Sequence, residues 1–170
     1  MLSFSRRFHS NLLLLSSLAL LSGTSVLSSQ PVKASAEWPA NHRPLVSALE
    51  RAGYRVLLEK PPIPGAYGAT NSRKKMIWVA PISIDLGIAK QTLIHEAVHA
   101  AQGCPTGKMT EIGWTTELSN AVDREIAGIL YRNYPHAKFS LEREAFGMQA
   151  NPQAFSLISQ ALSQRCSKRS

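Results

Sequence analysis

The chain has 170 residues, of which 44% are hydrophobic and 18% charged, and a formal charge of +8. That length suits one domain of moderate size. The bases are scattered, with no basic face carrying stacking aromatics, which argues against a nucleic-acid partner.

Read from its start, the chain shows the order of a secretory leader. Arg6 and Arg7 form a basic region, an apolar run spans Leu12 to Leu21, and small residues end in Ala34-Ser35-Ala36 before Glu37. The run is shorter than the roughly 20 residues that span a bilayer. The expectation is a signal peptide at 1–36 and a single exported domain at 37–170, periplasmic or extracellular and not integral to a membrane. Ser5-Arg6-Arg7-Phe8 is only a partial twin-arginine pattern and does not choose an export route. Losing Arg6, Arg7 and Lys33 lowers the charge from +8 to +5, enough for a weak general attraction to anionic envelope surfaces.

In the mature part, Pro44 to Ala52 reads as a short helix stopped by Gly53. Tyr54 to Glu59 reads as a strand ended by Pro61, Pro62 and Pro64. Ala66 to Thr70 and Lys75 to Ala80 read as two strands around Asn71-Ser72-Arg73, and Arg73-Lys74-Lys75 as the solvated turn between them. A helix capped by Ser83 or Asp85 runs to about Gln102, where Gly103 and Pro105 stop it. Further helices fit Trp114 to Arg132, a segment beginning after Ser140, and Pro152 to Cys166, with Asn151-Pro152 as a break. A helix and a small antiparallel sheet followed only by helices make an α+β fold.

Cys104 and Cys166 are the two cysteines. In an exported chain an even count predicts a disulfide, here tying the C-terminal segment to the residue just past the motif helix.

The chemistry concentrates in Thr92-Leu93-Ile94-His95-Glu96-Ala97-Val98-His99-Ala100-Ala101. On a helix His95 and His99 leave the same face, so both imidazoles can meet one Zn²⁺. Glu96, one step round from His95, is placed to act as general base on a zinc-activated water. Leu93, Ile94, Ala97, Val98 and Ala101 clothe the other faces, so the helix belongs in a core.

A catalytic zinc takes three protein ligands. No third histidine follows soon after His99, so a downstream acid must serve. Glu111, Glu117, Asp123, Glu125, Glu142 and Glu144 are available, with His136 as an outsider. Glu144 is the first choice, because neighbouring Ala145 allows close helix approach. Glu142 is the second and Glu117 the third. Glu142 and Glu144 lie about 200° apart on a helix, so only one of them can face the metal. The other would be solvated or hold a ligand in place.

His95-Glu96-Ala97-Val98-His99 followed by Glu144-Ala145 resembles the gluzincin type of zinc metallopeptidase, the thermolysin-like arrangement, in its minimal single-domain form. The chain is also similar to small exported cyanobacterial proteins of unassigned activity that carry H-E-A-x-H-A-A-Q-x-C and a later E-x-E-A-F. The resemblance implies a zincin-like fold, His95, His99 and Glu144 as zinc ligands, Glu96 as general base, and a strand that pairs with an extended peptide. Lys75 to Ala80 matches that strand in chain order. The thermolysin pattern has an aspartate after the ligand glutamate; here the sequence is Glu144-Ala145-Phe146-Gly147-Met148. The functional expectation is an exported metallopeptidase with a peptide or protein substrate. The alternative is a non-catalytic envelope module whose zinc is structural.

Overall fold

The computed structural model describes residues 37–167; the expected leader at 1–36 lies outside them. The fold is mixed α and β. Helix α1 (Arg43–Arg51) begins with Pro44 in its first turn, where the missing N–H costs nothing, and buries Leu45, Val46, Ala48 and Leu49 along one face. Gly53, at φ +87°, turns the chain out of the helix. Strand β1 (Arg55–Leu57) follows, then β2 (Gly68–Asn71) and β3 (Met76–Val79).

The sheet order is β1-β3-β2, with β3 parallel to β1 and antiparallel to β2. The sheet is thus mixed, where the sequence suggested an antiparallel one. β2 and β3 close as a hairpin, with Lys74 N–H donating to Asn71 Oδ1 in its turn. The long proline-containing connection carries the chain from β1 past β3 to the far edge, which leaves β1 alongside β3 in the same direction. Ile77 and Val79, both fully buried, face the core from the central strand.

The single helix expected from Ser83 or Asp85 to Gln102 is two. Gly87, at φ +70°, separates a short α2 (Ile82–Asp85) from α3 (Ala89–Gln102). Helix α3 is the axis of the domain, packed by α1, α2, α5 and α6 and by β2 and β3. Every residue from Leu93 to Gln102 is buried. The helix expected from Trp114 starts later, as α4 (Asn120–Asn133), with Ser119 Oγ accepting from Val122 N–H as its cap. The N–H groups of Ile112, Gly113 and Trp114, before that start, are engaged by the Glu144 carboxylate. A 3₁₀ turn at His136–Lys138 leads into α5 (Phe139–Gln149), and α6 (Ala154–Cys166) closes the fold.

Cys104 and Cys166 form a disulfide, S–S 2.04 Å, joining the end of α3 to the end of α6. No helix among the described residues is long and apolar enough to cross a membrane.

Candidate metal centre

His95 and His99 leave one face of α3 a turn apart, with ring centroids 4.7 Å apart and planes nearly perpendicular. Their Nε2 atoms stand 3.1 Å from each other. Glu142, in the first turn of α5, completes a triangle: its Oε2 is 3.2 Å from His95 Nε2 and 3.3 Å from His99 Nε2. All three residues are buried, at 7–8% exposure, and their donor atoms together could hold a metal ion.

The third member is therefore Glu142, the second choice from sequence, and not Glu144. The 200° separation holds and the rotation of α5 decides its outcome: Glu142 turns to α3's histidines while Glu144 turns to the loop before α4. There Glu144 accepts hydrogen bonds from the N–H groups of Ile112, Gly113 and Trp114 at 2.6–3.1 Å and from Gln102 Nε2 at 2.9 Å. The remaining candidates lie elsewhere. Glu111, Glu117 and Glu125 are exposed. Asp123 pairs with Arg143. His136 is exposed and stacks on Phe139, and the Cys104 sulfur is taken by the disulfide.

The imidazoles are held from behind. His99 Nδ1 is 2.8 Å from Gln102 Oε1, so this nitrogen carries a proton and Nε2 is the atom turned to the triangle. His95 Nδ1 is 3.2 Å from the side-chain amide of Gln149, and Phe146 packs edge-on against its ring at 4.6 Å.

Glu96 stands beside the triangle without joining it. Thr70 Oγ1 is 2.8 Å from Glu96 Oε2 and 3.0 Å from the Glu96 carbonyl oxygen. The carboxylate lies across Gly68: a Cβ there would stand 2.6 Å from Oε1. The strand beside this group is thus β2. β3, the strand matched to peptide pairing from sequence, is bonded on both sides and has no edge to offer. β2 has β3 on one side and no strand on the other among the described residues.

The electrostatics follow from this packing. Burial alone would raise the Glu142 carboxyl, but hydrogen bonds to His95 and His99 and their charges outweigh it and hold the group at about 2. His99 is pushed down by burial, yet the Glu142 hydrogen bond, the Glu96 and Glu142 charges and the Gln102 contact raise it overall. Tyr134, just after α4, is pushed up to about 12 by burial and by the charges of Glu142 and Glu96. Its phenol thus keeps its proton and lies within electrostatic reach of the site.

Sequence reasoning did not find Thr70, Gly68, Gln102 or Gln149. Two of these carried a signal. Gln102 is three residues past His99, and Gln149 is seven past Glu142, so each shares a helix face with a site residue. Thr70 and Gly68 carried none, since only the hairpin's position over α3 brings them to Glu96.

No protein-family model matches this chain, and neither a curated protein nor a solved structure matches it. The chemistry of the site rests on its own geometry.

Proposed function

We propose that this chain is a zinc-dependent hydrolase of the metallopeptidase type, with His95, His99 and Glu142 as the metal ligands and Glu96 as general base. The observation that carries this reading is the triangle of donor atoms, with sides of 3.1–3.3 Å. A tetrahedral ion with bonds of about 2.0–2.1 Å separates its ligands by about 3.3 Å. Two imidazole nitrogens and one carboxylate oxygen form a donor set that suits Zn²⁺, and three protein ligands leave a fourth position for chemistry. Converging lone pairs in a buried site also need a positive partner, and an ion supplies it.

Bound there, zinc would supply Lewis acidity towards a water and a substrate carbonyl. The protein's own groups supply the proton chemistry. The Thr70 hydroxyl fixes one oxygen of the Glu96 carboxylate, and the other is available to take a proton from the attacking water and return it to the leaving amine. The outer edge of β2 suits an extended peptide, because backbone pairing there would lay a scissile bond near Glu96. In the gluzincin resemblance, Glu142 takes the part first given to Glu144.

The test is zinc content and peptide cleavage for the chain and its Glu96→Gln variant. About one zinc per chain is expected in both, with turnover lower by about 10²–10⁴ in the variant. Cleavage unchanged by Glu96→Gln would overturn the mechanism. A second reading, a structural metal in a non-catalytic envelope module, draws on the burial of His95, Glu96, His99 and Glu142, each below a tenth exposed. Stoichiometric zinc with no cleavage across a diverse peptide library, in a chain whose metal admits no added ligand, would favour it.

A further inference from the structure

We propose that Gln102 and Glu144 are positioning residues of the metal centre. They act on His99 through a hydrogen-bond relay anchored in the 112–114 loop. The inference rests on the metal reading above and adds residues that the ligand set does not contain.

Gln102, the last residue of α3, is fully buried. A buried amide is costly unless its polar atoms are paired. Here both amide hydrogens and the oxygen have partners. Nε2 donates to the Leu141 carbonyl at 2.9 Å and to Glu144 Oε2 at 2.9 Å, while Oε1 accepts from His99 Nδ1 at 2.8 Å. These partners fix which way the amide points. Turned over, its oxygen would face a carbonyl and a carboxylate, two acceptors with no hydrogen between them. Oε1 is therefore held towards His99, Nδ1 keeps the proton, and the Nε2 lone pair is directed at Glu142 and His95. That is the tautomer a metal ligand requires.

Glu144 gives the relay its direction. Gly113, at φ +93°, lets three successive N–H groups converge on this carboxylate. Its negative charge draws on the Gln102 amide hydrogens and strengthens Oε1 as an acceptor, which makes the His99 ring a better electron donor. Polarisation thus passes from the loop through Glu144 and Gln102 to His99.

A stapling role for the pair, with no effect on the metal, makes a different prediction. The test is zinc affinity of the full chain, measured by chelator competition, in a charge-swap cycle, with melting of each metal-free variant as a fold control. Gln102→Met keeps the bulk and removes the relay; affinity is expected to fall by about 10–100-fold. Cobalt-substituted protein should show a shifted visible spectrum in the same variant. Gln102→Glu alone sets two carboxylates together, and Glu144→Gln alone sets two amide NH₂ groups together, so both should weaken binding. Gln102→Glu with Glu144→Gln restores the donor–acceptor pair between positions 102 and 144 and leaves only the Leu141 carbonyl facing an oxygen, so affinity should recover at least about tenfold over Gln102→Glu alone. Wild-type affinity in a folded Gln102→Met, or a folded double variant no better than Gln102→Glu alone, would overturn the relay. Where Gln102→Met fails to fold, the comparison of the double variant with Gln102→Glu decides the matter; where Gln102→Glu fails to fold, Gln102→Met does. A wild-type chain that binds no zinc would overturn the metal reading itself.

Discussion

Thr70 Oγ1 lies 2.8 Å from Glu96 Oε2, a contact that ties the edge strand of the sheet to the middle of the buried helix α3. The contact depends on how closely β2 lies over α3, and Gly68 is what permits that approach. A Cβ at position 68 would stand 2.6 Å from Glu96 Oε1 and 2.7 Å from Thr92 Cγ2. Gly68→Ala is therefore expected to displace the Glu96 carboxylate or lift β2, destabilising the fold by about 1–3 kcal/mol. Hydrolysis should fall at least about tenfold while zinc stays bound, because the atoms nearest the added methyl belong to Glu96 and Thr92 and not to a ligand side chain. Turnover unchanged, with zinc retained, would mean that Glu96 does not need this support.

The metal-free chain should have a pH-dependent stability of definite sign. Glu142 is held at about 2 against an ordinary 4.5. A group depressed in the folded state contributes stability above its unfolded value, and that contribution drains away as pH falls from about 4.5 towards 2. Its size is at most about 3 kcal/mol. His99 is raised above 6.5, so its contribution is present below 6.5 and is lost as pH rises through the higher folded value. Denaturant melts of chelated protein should thus show a maximum between the two limbs. Zinc should flatten the alkaline limb, since the metal takes over the role of the proton on His99. An acid limb unaltered in Glu142→Gln would rule out this account of Glu142.

How far the sequence disclosed this site depended on the range of the interaction. His95, Glu96 and His99 were legible because the helix repeat alone sets their relation. The choice between Glu142 and Glu144 was not, because it turns on the rotation of α5 about its axis. Packing against α3 and the 112–114 loop fixes that rotation. The start of α4 was misplaced for a related reason: the loop before it is tied through Ile112, Gly113 and Trp114 to a carboxylate some thirty residues away, and the helix begins only at the Ser119 cap. Strand existence was legible, whereas strand order was not. Lys75–Ala80 had the right place in the chain for an edge strand, but β1 occupies its far side, and only tertiary pairing reveals that.

The disulfide should be a main stabiliser of the C-terminal part. It closes 62 positions, which the chain-entropy account values at about 4 kcal/mol. Cys104 is 3% exposed, and Lys75 Nζ lies 3.1 Å from its sulfur and 4.4 Å over the Tyr54 ring. Lys75 is thus packed on the disulfide, while Arg73 and Lys74 are exposed as a solvated turn. Cys104→Ser with Cys166→Ser is expected to lower the urea midpoint and to steepen the slope, because the unfolded chain without the link exposes more surface. Because Cys104 follows Gln102 by two residues, the loss should also loosen the end of α3 and weaken zinc binding modestly. A midpoint equal to wild type would show that packing of α6 on α1 and α3 suffices alone.

Glu142 and Glu144 should be separable by experiment despite lying two residues apart. Glu142→Gln removes the charge that balances two imidazoles and a divalent ion, so stoichiometric zinc should be lost. The metal-free fold should survive, because a glutamine of the same size can still bond one histidine at the site. Glu144→Gln leaves all three ligands in place and should weaken zinc by no more than about 10–100-fold, through Gln102. The comparison is zinc per chain after dialysis at a fixed free-zinc concentration, with circular dichroism as the fold check. The reverse order, with Glu144→Gln metal-free and Glu142→Gln loaded, would return the ligand role to Glu144 and require α5 to turn by about 200°. The four hydrogen bonds that hold Glu144, three from the loop backbone and one from Gln102, oppose that rotation.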